Sequence, residues 1–177
     1  MTKWFRIDVA EGFQWLEIVD ERMQDAFVDP AVDPQTFDGL RVYLLDRLGP
    51  YENEFADSPW FGFHALALRP RARSILEPLL GTDGEFCAVS CPGAKIDVLA
   101  VRAADVLDAE ASDIALDEFG TPNHFMDVVL RRDRLRGRNF VRLPLYLSPV
   151  YVSERVVEAY ERAGLNGLSF LPAQLSG

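Results

Sequence analysis

Two stretches of this chain hold a helical period, and most of what lies around them is cut into short runs by Gly and Pro. The first is R69-P-R-A-R-S-I-L-E-P-L-L-G. Pro70 sits where a first helical turn tolerates it, and Ala72, Leu76, Leu79 and Leu80 make one apolar face until Gly81. The second is V152-S-E-R-V-V-E-A-Y-E-R-A-G. Val156, Val157 and Tyr160 face inward, Glu158 and Arg162 stand four apart on the solvent side, and Gly164 is the expected left-handed stop. Two helices in a chain of this length require strands for the rest, so the fold class read here is α+β. The expectation is one domain over 1–177, a mostly antiparallel or mixed sheet and a few helices.

Ser153, Glu154 and Arg155 lie side by side and invite a catalytic reading. The same serine directly precedes the apolar-periodic residues, where its hydroxyl can accept from an unpaired backbone N–H, so it is read as an N-cap. A capping box is absent, because the third residue on is Val156 and not Glu or Gln. The two helical stretches also echo each other. Each runs 18 positions from an aliphatic (Leu68, Val152) to a Phe (Phe86, Phe170), with an Arg near the helix start (Arg71, Arg155), a Gly stop and a second Gly (Gly84, Gly167). They are read as two related helix-strand units, packed on one sheet.

The remaining segments read as strands and loops. W4-F-R-I-D-V alternates, and G12-F-Q-W-L-E-I-V is a second apolar run, which together suggest an early antiparallel pair. The Asp-Pro steps in D25-A-F-V-D-P-A-V-D-P oppose helix and mark a loop. Residues 40 to 48 suit a strand or a short helix. H64-A-L-A-L, E85-F-C-A-V-S, K95-I-D-V-L-A-V, F125-M-D-V-V-L and N139-F-V-R-L read as strands, Ala103 to Leu107 as a turn of helix, and R131-R-D-R-L-R-G as a turn or short helix.

With 177 residues, 49% of them hydrophobic, the chain buries roughly 70% of the surface its unfolded form exposes, enough for one core. No apolar run reaches the roughly 18 residues a membrane helix needs, and the start carries charges where a signal peptide needs an apolar core. A cytoplasmic location is expected. The net charge of −10 is uneven: residues 1–60 carry −8 and residues 61–177 carry −2. Such a field repels nucleic acid and anionic membrane and speeds encounter with a cationic partner.

No convergent catalytic set emerges. The only histidines, His64 and His124, sit among apolar neighbours, and no G-x-S-x-G surrounds any serine. A hydrolase or transferase using His64 or His124 stays open, because a scattered triad leaves no mark in sequence order. A ligand-sensing or adaptor module is a further alternative. Cys87 and Cys91 are too few for a disulfide framework or an all-cysteine zinc site and are read as reduced, packed thiols. D105-V-L-D-A-E-A-S-D lacks the spacing of a calcium loop and is read as a solvated turn. No cofactor and no metal site are expected. The basic run R131-R-D-R-L-R-G-R-N-F-V-R is read as pairing with the protein's own acidic third.

Five motifs in order carry more. L66-A-L-R-P-R-A-R-S-I-L-E-P-L-L, E85-F-C-A-V, D105-V-L-D-A-E-A-S, V128-V-L-R-R-D-R-L-R-G-R-N-F-V-R-L and V150-Y-V-S-E-R-V-V-E-A-Y-E-R-A-G-L-N-G-L-S-F-L-P resemble a bacterial immunity-protein family. That family was first catalogued as a domain of unknown function and is encoded beside polymorphic toxins. The resemblance covers residues 64–174. It departs at L68-R-P-R, where the family often has V-S-x-R, and residues 1–60 match poorly. The resemblance implies an antidote that binds a cognate toxin domain and neutralises it by occlusion, without catalysis. Because an immunity protein must reject its toxin's relatives, the divergent acidic segment is the place to seek specificity. Asp25, Asp29, Asp33, Asp38, Glu52, Glu54 and Asp57 are the expected partner-binding residues, suited to a basic toxin domain. Homo-oligomerisation is left open by the sequence.

Overall fold

The structure is a computed structural model. It describes residues 2–20, 23, 29, 31, 33–48, 51–116, 122–146 and 148–177, with backbone alone at 48, 51, 116 and 122–126. Its strands in chain order begin with β1 (Trp4–Val9), β2 (Trp15–Ile18), β3 (Val42–Leu45), β4 (Arg47–Leu48), β5 (Tyr51–Glu52) and β6 (Leu66–Leu68). Helix α1 (Pro70–Leu80) leads into β7 (Gly84–Ala88) and β8 (Asp97–Val101). Then come β9 (Asp113–Leu116), β10 (Pro122–Asp127), β11 (Val129–Arg131), β12 (Phe140–Arg142) and β13 (Val150–Ser153). Helix α2 (Glu154–Arg162), β14 (Leu168–Pro172) and β15 (Gln174–Ser176) complete the order. The fold is α+β, with two α-helices fully described.

The echo in the sequence is an echo in space. In one unit, β6 and β7 both pair antiparallel with β8, so that α1 connects two parallel strands across a third. In the other, β13 and β14 both pair antiparallel with β1, and α2 makes the same connection. The units do not share one sheet, as the sequence reading had it. They form a three-stranded sheet β6-β8-β7 and a four-stranded sheet β12-β13-β1-β14. These meet where Ala103, just past β8, bridges Arg142 of β12.

The early antiparallel pair is also corrected. β1 pairs with β13 and β14 from the far end of the chain, through registers such as Arg6 with Tyr151 and Ile7 with Phe170, and β2 pairs instead with β3. The reason is burial on both faces of β1. Ile7 packs into the core beneath the helices while Trp4 packs into a second cluster on the opposite face, so both faces of β1 are covered. Residues 40 to 48 resolve as strand, β3 with β4, and 103 to 107 form no helix: Ala103 bridges Arg142, Leu107 bridges Leu130, and between them Val106 N–H donates to Ala104 O.

Three apolar clusters divide the interior, and period-two alternation assigns strand residues to them. Leu66, Leu68, Leu99, Phe140, Val150 and Val152 point toward the helices and meet Leu76, Val156 and Tyr160. Their strand neighbours Ala67 and Val98 point the other way and are covered by Leu16 and Val42 of the β2-β3 hairpin. Val141 and Tyr151 point away from the helices toward Val106, Leu130 and Leu135. Each fully buried Leu or Val in these layers contributes about 2 kcal/mol of transfer free energy.

The helices run antiparallel, and polar side chains fasten each end. At the start of α1, Asp57 is 4% exposed and accepts from the Arg71 guanidinium at 3.0 Å, while Arg71 also donates to Ala163 O at the end of α2. The Asn166 side chain accepts from Asp57 N–H at 2.7 Å. At the other end, the Asp83 carboxylate accepts from Asn139 N–H at 2.7 Å and Phe140 N–H at 3.1 Å, and Asn139 Nδ2 donates to Leu79 O.

Ser153 stands at the cap position with extended backbone, but its hydroxyl does not cap the helix. It donates to Asn139 Oδ1 at 2.8 Å, since the neighbouring strand offers a closer acceptor than the first helical turn offers a donor. The α2 terminus is as expected. Gly164 takes φ +60, its N–H donates to Glu161 O and the Leu165 N–H donates to Tyr160 O, the paired bonds of a Schellman stop.

Candidate functional site

Two surfaces carry charge that the fold does not consume. The first is built on the β2-β3 hairpin. Leu16, Ile18, Val42 and Leu44 pack inward, so alternation turns Glu17 and Tyr43 outward as a cross-strand pair. The Tyr43 hydroxyl donates to Glu17, and that bond holds the phenol above its ordinary pKa. At the far end of β3, Asp46 accepts from Gln14 Nε2 at 2.6 Å and, through its carbonyl, from Asn53 N–H. Glu52 pairs with Arg47 across the β4-β5 hairpin, and Glu54 is held beside Phe13 by a parallel bridge. Phe55 follows, 56% exposed, with the Arg69 guanidinium 4.5 Å from its ring centroid.

Val19, Tyr43 and Phe55 are three of the five large hydrophobics left exposed among the described residues. All three fall in the acidic third. Each stands beside charged side chains of the same third.

The residues singled out from sequence fall into separate places. Glu52 and Glu54 lie at the β3 end just described, exposed to solvent. Asp33 and Asp38 lie at the opposite end, flanking a 3-10 turn over Pro34–Phe37 that packs on β7. Asp33 accepts from Gln35 N–H and Asp38 from Ala88 N–H, and both remain exposed. Asp29 lines a small cavity with Phe37, His64 and Arg142. Asp25 lies outside the described residues. Asp57 is taken into the fold, where Arg71 holds it, and offers no carboxylate to a partner.

His64 borders that cavity of about 110 Å3. Its Nδ1 faces Ser148 O at 3.1 Å, and burial lowers its pKa to about 4, so the ring is neutral at pH 7 and donates from Nδ1. The described lining of the cavity holds no Ser, Thr or Cys, and Ser148 meets the ring through its carbonyl, while its hydroxyl donates to Pro149 O and accepts from Leu143 N–H. The His124 side chain lies outside the described residues. Burial pushes the Cys87 thiol up to about 11 and raises that of Cys91, which leaves both as thiols. Among the described residues no cluster of His, Cys, Asp and Glu could hold a metal ion. The acidic D105–D113 segment is a turn, in which Asp108 accepts from Ala111 N–H and Ser112 Oγ donates back to Asp108 O.

The second surface was missed as a site. The basic run does not pair with the acidic third as a whole. Among the described residues, Arg131 and Arg134 share Asp133 at 3.6 and 3.8 Å, Arg138 reaches Asp83 at 3.3 Å, and only Arg142, 6% exposed, feels a carboxylate of that third, Asp29. Arg132 and Arg136 instead join Arg138 and Arg155 around a groove of about 650 Å3, with Trp4 in its wall. The signal in the sequence was half present, in R131-R-D-R-L-R-G-R. Arg155 and Trp4 arrive from other elements.

No helix among the described residues is long and apolar enough to cross a membrane. Residues 97–174, somewhat less than half of the chain, match the model of an immunity protein family (Imm11). The match takes in the groove's Arg132, Arg136, Arg138 and Arg155, and β12, β13, α2 and β14, while β1, α1 and the acidic hairpin lie outside it. No curated protein matches the chain.

Proposed function

We propose that this chain is an immunity protein, which binds a cognate toxin domain and neutralises it by occlusion, without chemistry of its own. The observation that carries this reading is the match of residues 97–174 to an immunity protein family, the kind of family already suggested by the order of motifs over 64–174. His64, neutral and with Nδ1 engaged by the Ser148 carbonyl, supports binding rather than catalysis, since the Ser148 hydroxyl is hydrogen-bonded to backbone and not to the ring.

The docking surface proposed is the acidic hairpin face. Tyr43 and Phe55 are its anchors, and Glu17, Asp46, Glu52 and Glu54 its charged surround, with Asp29, Asp33 and Asp38 extending it at the other end of β3. A face of this charge suits a basic toxin domain, such as a nuclease whose own substrate demands cationic surface. The cytoplasm is the compartment in which such an antidote meets a toxin that has entered the cell.

The test is co-expression with the C-terminal domain of the large protein encoded next to this gene. Rescue of growth and co-purification are expected. A rescue that survives the combined variant Tyr43→Ala, Phe55→Ala, Glu54→Lys would move the docking surface elsewhere, and failure to rescue at all would remove the immunity reading.

A further inference from the structure

The groove beside α2 goes beyond the immunity reading, and it shares no residue with the acidic face. Its walls come from four places: a 3-10 turn at Arg132–Leu135 with the residues up to Asn139, the first turn of α2 with Ser153, β1 through Trp4 with Thr2 before it, and Gly177. Four guanidiniums line it, from Arg132, Arg136, Arg138 and Arg155, against one side-chain carboxylate, Asp133.

The pairing of these groups is lopsided. Asp133 is already held between Arg131 and Arg134, and Arg138 between the groove and the buried Asp83. Arg132, Arg136 and Arg155 have no ion pair among the described residues, and Arg132 Nε is buried without a hydrogen-bond partner. Elsewhere among the described residues most arginines are paired: Arg47, Arg71, Arg73, Arg102 and Arg162 each have a carboxylate within reach, and Arg69, without one, donates to Ala56 O and Gln14 Oε1. In a protein of net charge −10, three guanidiniums left unbalanced around one cavity are a local reversal of the field. Like charges so gathered repel, and an anion entering the groove relieves that repulsion while satisfying the orphaned donor.

We propose that this groove receives an acidic segment of a partner protein, its carboxylates taken by Arg136 and Arg155 at the rim and by Arg132 deeper in. Guanidinium forks match carboxylates through two parallel N–H···O bonds, a geometry that a lysine cluster could not offer. The volume holds several residues of an extended chain rather than one small ion. Nucleic acid is the disfavoured occupant. A strand running out of the groove on either side would meet the acidity of the remaining surface, whereas a short acidic peptide brings its charge only where the arginines stand.

The experiment is fluorescence anisotropy of a labelled hexaglutamate peptide titrated with the full chain at moderate salt. Hexalysine, a single-stranded oligonucleotide of equal charge and inorganic phosphate run beside it. Saturable binding of hexaglutamate is expected, weakened about tenfold or more in Arg136→Glu/Arg155→Glu, in line with loss of two charge-assisted contacts. Arg136→Gln/Arg155→Gln, which adds no negative charge, should weaken it by a smaller factor and shows that the loss follows the guanidiniums. Both side chains are exposed, and unchanged circular dichroism of the variants confirms that they fold. Binding that is unaltered in both variants overturns the proposal. So does tighter binding of the oligonucleotide, which would make the groove a phosphate-backbone site, and so does full displacement of the peptide by millimolar phosphate, which would reduce it to a small-anion site. Because the readout is a peptide and not the toxin, failure here leaves growth rescue untouched, and failure of rescue leaves this binding intact.

Discussion

Ser153 and Asn139 are joined twice, main chain to main chain at 2.9 Å and side chain to side chain at 2.8 Å, and Asn139 then donates its amide N–H to Leu79 O at the end of α1. One asparagine thus connects the start of one helix to the end of the other. Replacing it with Ala removes both side-chain bonds and leaves Ser153 Oγ and Leu79 O without these partners. Asn139→Ala should cost about 2–3 kcal/mol, seen as a lower urea midpoint at unchanged m. A midpoint within error of the parent would show that the junction is dispensable.

Asp57 separates stability from binding. With its carboxylate buried against Arg71, Asp57→Asn should lower stability by about 1–2 kcal/mol. Arg71, whose side chain is 57% exposed, should cost about 1 kcal/mol or less on conversion to Ala after solvent screening. The two changes together should cost less than their sum. Neither should alter the rate of association with a toxin partner. A slowed association in folded Asp57→Asn would return this residue to the docking surface.

Two glycines three residues apart should respond very differently to alanine. Gly164 has open space where a Cβ would go, so Gly164→Ala meets only the backbone penalty of its left-handed φ, about 1 kcal/mol. At Gly167, φ is +104 and a Cβ would fall 2.2 Å from Ser58 O, inside backbone that cannot yield cheaply. Gly167→Ala should therefore cost at least about 3 kcal/mol, or prevent folding at 37 °C. Thermal unfolding of both variants decides it, and equal losses would contradict the close approach.

His64 sets a pH dependence. Burial depresses its pKa to about 4, below the unfolded value near 6.5. Between those values the unfolded chain binds the extra proton, so stability is complete above about pH 6.5 and is lost as pH falls toward 4. The full span amounts to about 3 kcal/mol. His64→Asn, whose amide can still donate to Ser148 O, should flatten this part of the stability profile. A profile as steep as that of the parent would assign the slope to other groups.

Both helices, the Gly164 stop and the kinship of the two units were legible because they depend on neighbours three or four positions apart. The partners of β1 were not. Arg6 meets Tyr151 across most of the chain, and nothing in W4-F-R-I-D-V distinguishes a strand that closes on the next segment from one that waits for the last. Asp57 looked like surface because D-S-P-W sits in an acidic loop, and its burial follows from Arg71, which the sequence offered only as part of the echo. The acidic face was half visible. Its charge could be counted, but the outward turn of Tyr43 showed only when the hairpin placed Val42 and Leu44 inward.

The position of β1 at the centre of the four-stranded sheet sets an order of events for a chain made from its N-terminus. Both of its hydrogen-bonding edges stay open until β13 and β14, the segments up to Pro172, have been synthesised. The acidic hairpin packs instead on the three-stranded sheet, whose last segment is complete at Val101, so a chain cut short upstream of residue 150 would carry the hairpin with the sheet beneath it but leave both edges of β1 open.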